Sequence, residues 1–167
     1  MTTQVYHRQH LVFGCGNTLF GNDGFGPEVI AEINRNHTLL DSVLVLDAGT
    51  GIRDLVFDLL LMDTPPERII VIDAVTVEGR RPGEVFEMNI SKVPKEKLSD
   101  FSLHQAPSSN LLAQLAERGV DVRVIAMNTE SIPNHIQPGL TPEARAAVGE
   151  AASRVLQILE DHSLLEN

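Results

Sequence analysis

Three continuous apolar runs, each closed by a glycine or an aspartate and each followed by a helical pattern, constrain this chain more than any other feature. The first, Leu11–Phe13, stops at Gly14, while Ser42–Asp47 and Arg68–Asp73 both end on an acid. A strand without polar alternation is buried on both faces, the condition of a parallel sheet covered by its own crossover helices. The segments between the runs supply such helices. Val29, Ile30 and Ile33 share one face behind Pro27, which fits a first helical turn. Leu55, Val56, Leu59 and Leu60 share another within Ile52–Met62, before Pro65 and Pro66 break it.

The second half of the chain continues the alternation. Glu84–Met88 alternates and reads as an edge strand entered from the turn at Arg81–Gly83, and Asn89–Asp100 reads as a loop or short irregular element. Ser108–Arg118 is an amphipathic helix with Leu111, Leu112 and Leu115 inward and Gly119 at its C′ position. Val122–Met127 is a further strand. Thr141, Pro142 and Glu143 combine an N-cap, a proline at the first helical position and an acid in the first turn. Val148, Ala151, Ala152, Val155 and Leu159 form the buried stripe of that last helix. The expectation is a three-layer α/β/α fold, a mostly parallel twisted sheet of about five strands flanked by helices. With 167 residues, 43% of them hydrophobic, and neither repeat nor linker, residues 1–167 read as a single domain.

Charge excludes several function classes. Thirteen Lys and Arg against 23 Asp and Glu give a formal net charge of −10, the wrong sign for a nucleic-acid binder or for an anionic membrane surface. Cys15 is the one cysteine, so a disulfide framework is excluded and a reducing compartment is expected. The polar stretch Met1–His10 lacks an apolar leader core, and no run approaches the roughly 20 apolar residues that span a bilayer. A cytoplasmic protein is expected.

In open α/β sheets ligands bind beyond the carboxyl ends of the strands. Three such ends carry unusual residues: the glycine-rich loop Gly14–Gly26, Asp47 and Asp73. The glycine spacing does not match the dinucleotide fingerprint, and Asp23 within the loop would repel a phosphate. Asp23 has two readings, a cap for the helix that follows or a functional carboxylate. Asp73, behind four apolar residues, is either bonded to loop amides or functional. Asp47 reads as a turn acid. Together with His104, Asp23 and Asp73 make a set of two carboxylates and one imidazole that suits a first-row divalent metal with open coordination positions. Cys15 reads as a small buried residue rather than a nucleophile served by His104, and Ser108, Ser109 and Thr50 lack a nucleophile elbow.

These residues, taken in order, resemble the hydrogenase maturation endopeptidases. The matching stretches are Gly14–Gly26, Leu46–Gly51, Ile70–Ala74, Ser102–Gln105, and Thr129–Ser131 leading to Gly139–Pro142. The form Gly21–Pro27 is most like the branch that serves coenzyme F420-reducing hydrogenase. The resemblance implies an endopeptidase that removes the carboxyl-terminal extension of a [NiFe] hydrogenase large-subunit precursor after nickel insertion. It assigns Asp23, Asp73 and His104 as both nickel ligands and catalytic residues. Many relatives carry Glu at the first of these positions and an acid just before it, where this chain has Asp23 and Asn22. The nickel is expected to arrive with the precursor, the loop glycines clearing space for it. There it would polarise the scissile carbonyl or activate a water, with a carboxylate as base. H-E-x-x-H is absent, so a thermolysin-like zinc site is unsupported. Two other readings stand beside this one: a nickel-checkpoint protein that binds the precursor without cutting it, and, on the glycines alone, a nucleotide-binding α/β domain.

Overall fold

The apolar runs become the central strands of one five-stranded sheet. The computed structural model describes residues 5, 7–90 and 107–163. Its strands are β1 (His10–Cys15), β2 (Val43–Gly49), β3 (Arg68–Val75), β4 (Val85–Asn89) and β5 (Asp121–Asn128), in the order β2-β1-β3-β5-β4. The first three and β5 run parallel, and β4 pairs antiparallel with β5 at the edge. Each parallel strand is longer than its apolar run. β3 continues two residues past Asp73, which pairs with Ala126, so that carboxylate lies inside the ladder rather than after it.

Four helices among the described residues cover the sheet: α1 (Phe25–Asn36), α2 (Ile52–Leu60), α3 (Pro107–Glu117) and α4 (Pro142–Ser163). On one face, Val12, Ile70, Ile72 and Ile125 pack against Phe25, Val29 and Ile33 of α1 and Ala144, Ala151 and Val155 of α4. On the other, Leu11, Phe13, Val71 and Val124 pack against Val56 and Leu59 of α2 and Leu112 and Leu115 of α3. Alternate residues of one strand thus feed two cores, which is why these strands show no polar alternation. The result is the three-layer α/β/α architecture.

Local signals explain the helix ends. Thr141 caps α4, its Oγ1 accepting from the Ala144 amide at 3.3 Å, and Pro142 and Glu143 open the first turn. At the end of α3, Gly119 has φ 90°, its amide bonds Ala116 O at 3.0 Å, and Val120 N bonds Leu115 O at 3.2 Å. That pair of bonds is a Schellman closure, and it turns the chain into β5 within a few residues. Because β5 starts level with the start of β3, α3 ends at the amino rim of the sheet. Eleven residues rise about 16 Å, so α3 begins at the carboxyl rim. No described helix is long and apolar enough to cross a membrane.

Candidate functional site

The carboxyl rim holds almost all the buried polarity. Six polar or charged residues are buried among those described, and five of them, Asn22, Asp23, Asp73, Asn128 and Thr129, lie there. The sixth, His10, sits at the opposite rim. Burying polar groups costs free energy unless partners are built for them, so this concentration marks where the fold maintains a polar site inside an aliphatic protein.

Asp23 is placed by a loop that folds back on itself. The loop leaves β1 at Gly16, passes through a short 3-10 turn (Gly21–Gly24), and enters α1. The Asn17 amide donates to Asp23 Oδ2 at 2.8 Å, and the Asp23 amide bonds Phe20 O at 3.1 Å. The helix behind is capped by Gly24 without any side-chain bond, so the capping role for Asp23 falls away and loop closure takes its place. The glycines serve the same closure. At Gly16, φ is 125° and an added Cβ would run into the Asp23 carbonyl. At Gly26 it would strike the Cys15 backbone and Ile72 O. The expected clearance for a metal centre is therefore corrected: these glycines let the chain's own backbone pack tightly.

Asp73 is 1% exposed and Asp23 5% exposed. Asp73 Oδ1 accepts from the Ala74 amide at 2.8 Å. Asp47 is exposed, its Oδ1 accepting from Gly49 N at 2.9 Å, the turn acid that the sequence indicates. Cys15 reports how these acids converge. Burial pushes its thiol well above the usual range, and the charges of Asp73, Asp47 and Asp23, in that order, raise it further. A protonated, buried thiol beside three carboxylates is a poor nucleophile. The 3-10 turn that carries Asp23 also packs against β3.

The remaining expected ligand, His104, lies outside the described residues, as does most of Asn89–Asp100; Asn89 itself ends β4. Among the described residues, no group of three His, Cys, Asp or Glu side chains is arranged to hold a metal. Asp23 and Asp73 supply oxygen donors of the kind a divalent cation accepts, and by themselves they are an incomplete set.

Asn22 was not legible as part of this site. Its amide donates to Thr129 Oγ1 at 3.0 Å and Thr141 Oγ1 at 3.1 Å, while its Oδ1 accepts from Thr141 N at 2.9 Å. The Thr129 hydroxyl donates onward to Ser131 O at 3.1 Å. A carboxylate at position 22 has no proton to donate to these oxygens. A second tie lies alongside: Phe20 and Gln137 form a parallel bridge, with Gly21 N bonded to Gln137 O and Gln137 N to Leu19 O, both at 2.8 Å. The stretches Thr129–Ser131 and Gly139–Pro142 therefore border Asn22, beside the acid. A cavity of about 200 Å³ opens there, walled by Asn22, Thr129, Ser131 and Thr141.

An α/β sheet with two buried aspartates at its carboxyl rim, Asp23 held by a self-closing glycine loop and Asp73 by strand β3, defines the class as a small α/β protein with an acidic rim site. Comparison with known proteins makes the class specific. Residues 27–158 match the family model for hydrogenase maturation protease. The chain is 35% identical over 147 residues to a putative hydrogenase maturation protease of Methanocaldococcus jannaschii, covering 87% of this chain and 93% of the relative. It is 36% identical over 159 residues to coenzyme F420 hydrogenase subunit delta of Methanothermobacter thermautotrophicus, covering 90% and 94%. The solved hydrogenase maturating endopeptidase HybD of E. coli superposes with a TM-score of 0.74 at 25% identity, covering 92% of this chain and 93% of HybD. The chain belongs to the hydrogenase maturation protease family.

Proposed function

We propose that the protein is an endopeptidase that removes the carboxyl-terminal extension of a [NiFe] hydrogenase large-subunit precursor after nickel insertion. It reads the precursor's nickel through Asp23, Asp73 and His104. The observation that carries this reading is the pair of buried carboxylates, Asp23 and Asp73, delivered from different elements to one rim and both acting on Cys15. Family membership supplies the substrate class, and similarity to coenzyme F420 hydrogenase subunit delta supports a hydrogenase of that type. The start of α3 at the carboxyl rim supports His104, three residues ahead of it, as the third ligand. The work is expected to take place in the cytoplasm.

The nickel enters with the precursor and belongs to the substrate. A nickel ion held by Asp23, Asp73 and His104 would supply Lewis-acid polarisation of an adjacent carbonyl. The chain's own residues do the rest: Asn17 fixes the orientation of the Asp23 carboxylate, and Ala74 N fixes that of Asp73. A carboxylate so held is a fixed proton acceptor for the attacking water.

Mass analysis of a nickel-loaded precursor before and after incubation tests the reading. The expected result is a shortened precursor with the unaltered chain, and processing slowed at least about 100-fold by Asp23→Ala, Asp73→Ala or His104→Ala. If all three variants process at the normal rate, the site assignment fails. A precursor that is bound but never shortened makes the protein a nickel-checkpoint binder instead.

A further inference from the structure

Two acids that act on one centre need a fixed separation, and here separate elements carry them. Asp23 lies in the loop between β1 and α1, and Asp73 lies in β3. The bonds that join Asp23 to Asn17 N and Phe20 O hold it within its own loop. Both bonds are internal to that loop, so they do not set the loop against β3.

Thr129, 3% exposed, makes that link. It stands one residue beyond β5, whose last pair sets Asn128 against Val75. Its amide donates to Val75 O at 2.8 Å, two residues past Asp73 on the same strand. Its Oγ1 accepts from Asn22 Nδ2 at 3.0 Å, one residue before Asp23. One residue thus bonds to the neighbourhood of each acid, through its backbone on one side and its side chain on the other. The Thr129 hydroxyl is itself oriented, because its proton goes to Ser131 O at 3.1 Å. Asn22 is buried and equally constrained, with Thr141 N donating to its Oδ1 at 2.9 Å. Asn128 braces the same junction. Its Oδ1 accepts from Val77 N at 2.8 Å and its Nδ2 donates to Arg80 O at 2.9 Å, which pins the chain leaving β3. Buried bonds of this kind are directional and costly to leave unmade, so the Asp23 loop cannot drift from β3 without losing them.

We infer that Thr129 and Asn22 are positioning residues for the hydrolysis, their bond setting the Asp23 carboxylate at a fixed separation from Asp73. The inference rests on the proteolytic reading for the reaction that it serves. Both residues act through Asp23. Thr141 shares Asn22 but also caps α4, so Thr129 is the cleaner place to cut.

Steady-state cleavage of the nickel-loaded precursor by the full chain tests the link. Thr129→Val, which keeps the shape and removes the hydroxyl, is expected to lower kcat about tenfold with KM within about twofold. Thr129→Ser restores the hydroxyl and brings kcat back to within about threefold of the unaltered chain. Asn22→Ala/Thr129→Val is expected to be no slower than Asn22→Ala alone, since both changes sever one link. Arg118→Ala removes bonds to Leu60 O and Met62 O at the opposite rim, controls for general loosening, and leaves kcat unchanged. A normal kcat for Thr129→Val, or an equal loss for Arg118→Ala, overturns the inference. Amide exchange followed by NMR separates it from the proteolytic reading. Thr129→Val is expected to speed exchange at Asn17 N, the donor to Asp23 Oδ2, at least about fivefold more than at Val71 N in the middle of β3. If the unaltered chain never shortens the precursor, the proteolytic reading fails, while that selective exchange still upholds the positioning of Asp23 and a uniform change sinks it.

Discussion

The two rims of the sheet make opposite use of space. At the amino rim, Leu39, Leu40, Val43, Leu156 and Leu159 line a cavity of about 310 Å³ between α4 and the entry to β2. At the carboxyl rim the cavity beside Asn22 is smaller, about 200 Å³, and three of its walls, Asn22, Thr129 and Thr141, are polar side chains already engaged with one another. Roominess and apolar lining favour the first, whereas buried polarity, loop closure and converging charge favour the second. Size describes where something fits; the cost of burying carboxylates describes where the fold keeps a reactive arrangement.

The sharpest way to break this contrast is at Gly16. A side chain there has to adopt φ 125° and collide with the Asp23 carbonyl. Gly16→Ala is expected to destabilise the protein by about 3 kcal/mol, lowering the thermal midpoint by roughly 10 °C. Leu40→Ser, on the amino rim and 70% exposed, is expected to change stability by less than about 0.5 kcal/mol. Calorimetry on both decides whether the carboxyl rim is the one held under tight steric demand.

A milder change probes the latch. Asn22→Asp keeps the shape and removes the donor, facing Thr129 Oγ1 and Thr141 Oγ1 with a carboxylate. Denaturant unfolding is expected to show a loss of about 2 kcal/mol. A neutral result means that the hydroxyls reorient and that the acid carried by many relatives at this position is equally acceptable.

The smallest effect concerns pH. The Cys15 pKa is raised in the folded chain, first by burial and then by Asp73, Asp47 and Asp23. A raised folded pKa adds stability that is complete below the unfolded thiol value, about 8.5, and is lost as pH climbs from there through the folded value. Unfolding measured between pH 7 and 10 is expected to show that decline, and Cys15→Ala is expected to flatten it. A slope unaffected by the substitution puts the coupling elsewhere.

The parts of the molecule legible in the sequence are those governed by neighbours along the chain. Apolar runs marked β1, β2 and β3, and Thr141, Pro142 and Glu143 marked the start of α4, because burial on two faces and helix capping are local demands. The convergence of Asp23 and Asp73 was partly legible, since parallel strands place their ends on one rim. What stayed hidden was non-local. Asn22 bonds residues 107 and 119 positions away, and no periodicity encodes such a contact. The glycines were recognised as permissive, but which surface they accommodate depends on where the loop turns, and it turns onto its own backbone.

The Phe20–Gln137 bridge also carries a consequence for the order of synthesis. The loop that presents Asp23 is fastened by partners that leave the ribosome more than 100 residues later. An emerging chain can pair β1 with β2 and β3 well before that, yet its acid loop stays unfastened until Gln137 and Thr141 follow. The last of the rim's ties is thereby deferred to a late stage of folding, and a truncated or stalled product keeps the local bonds to Asp23 and Asp73 but lacks the long-range ones that fasten the loop.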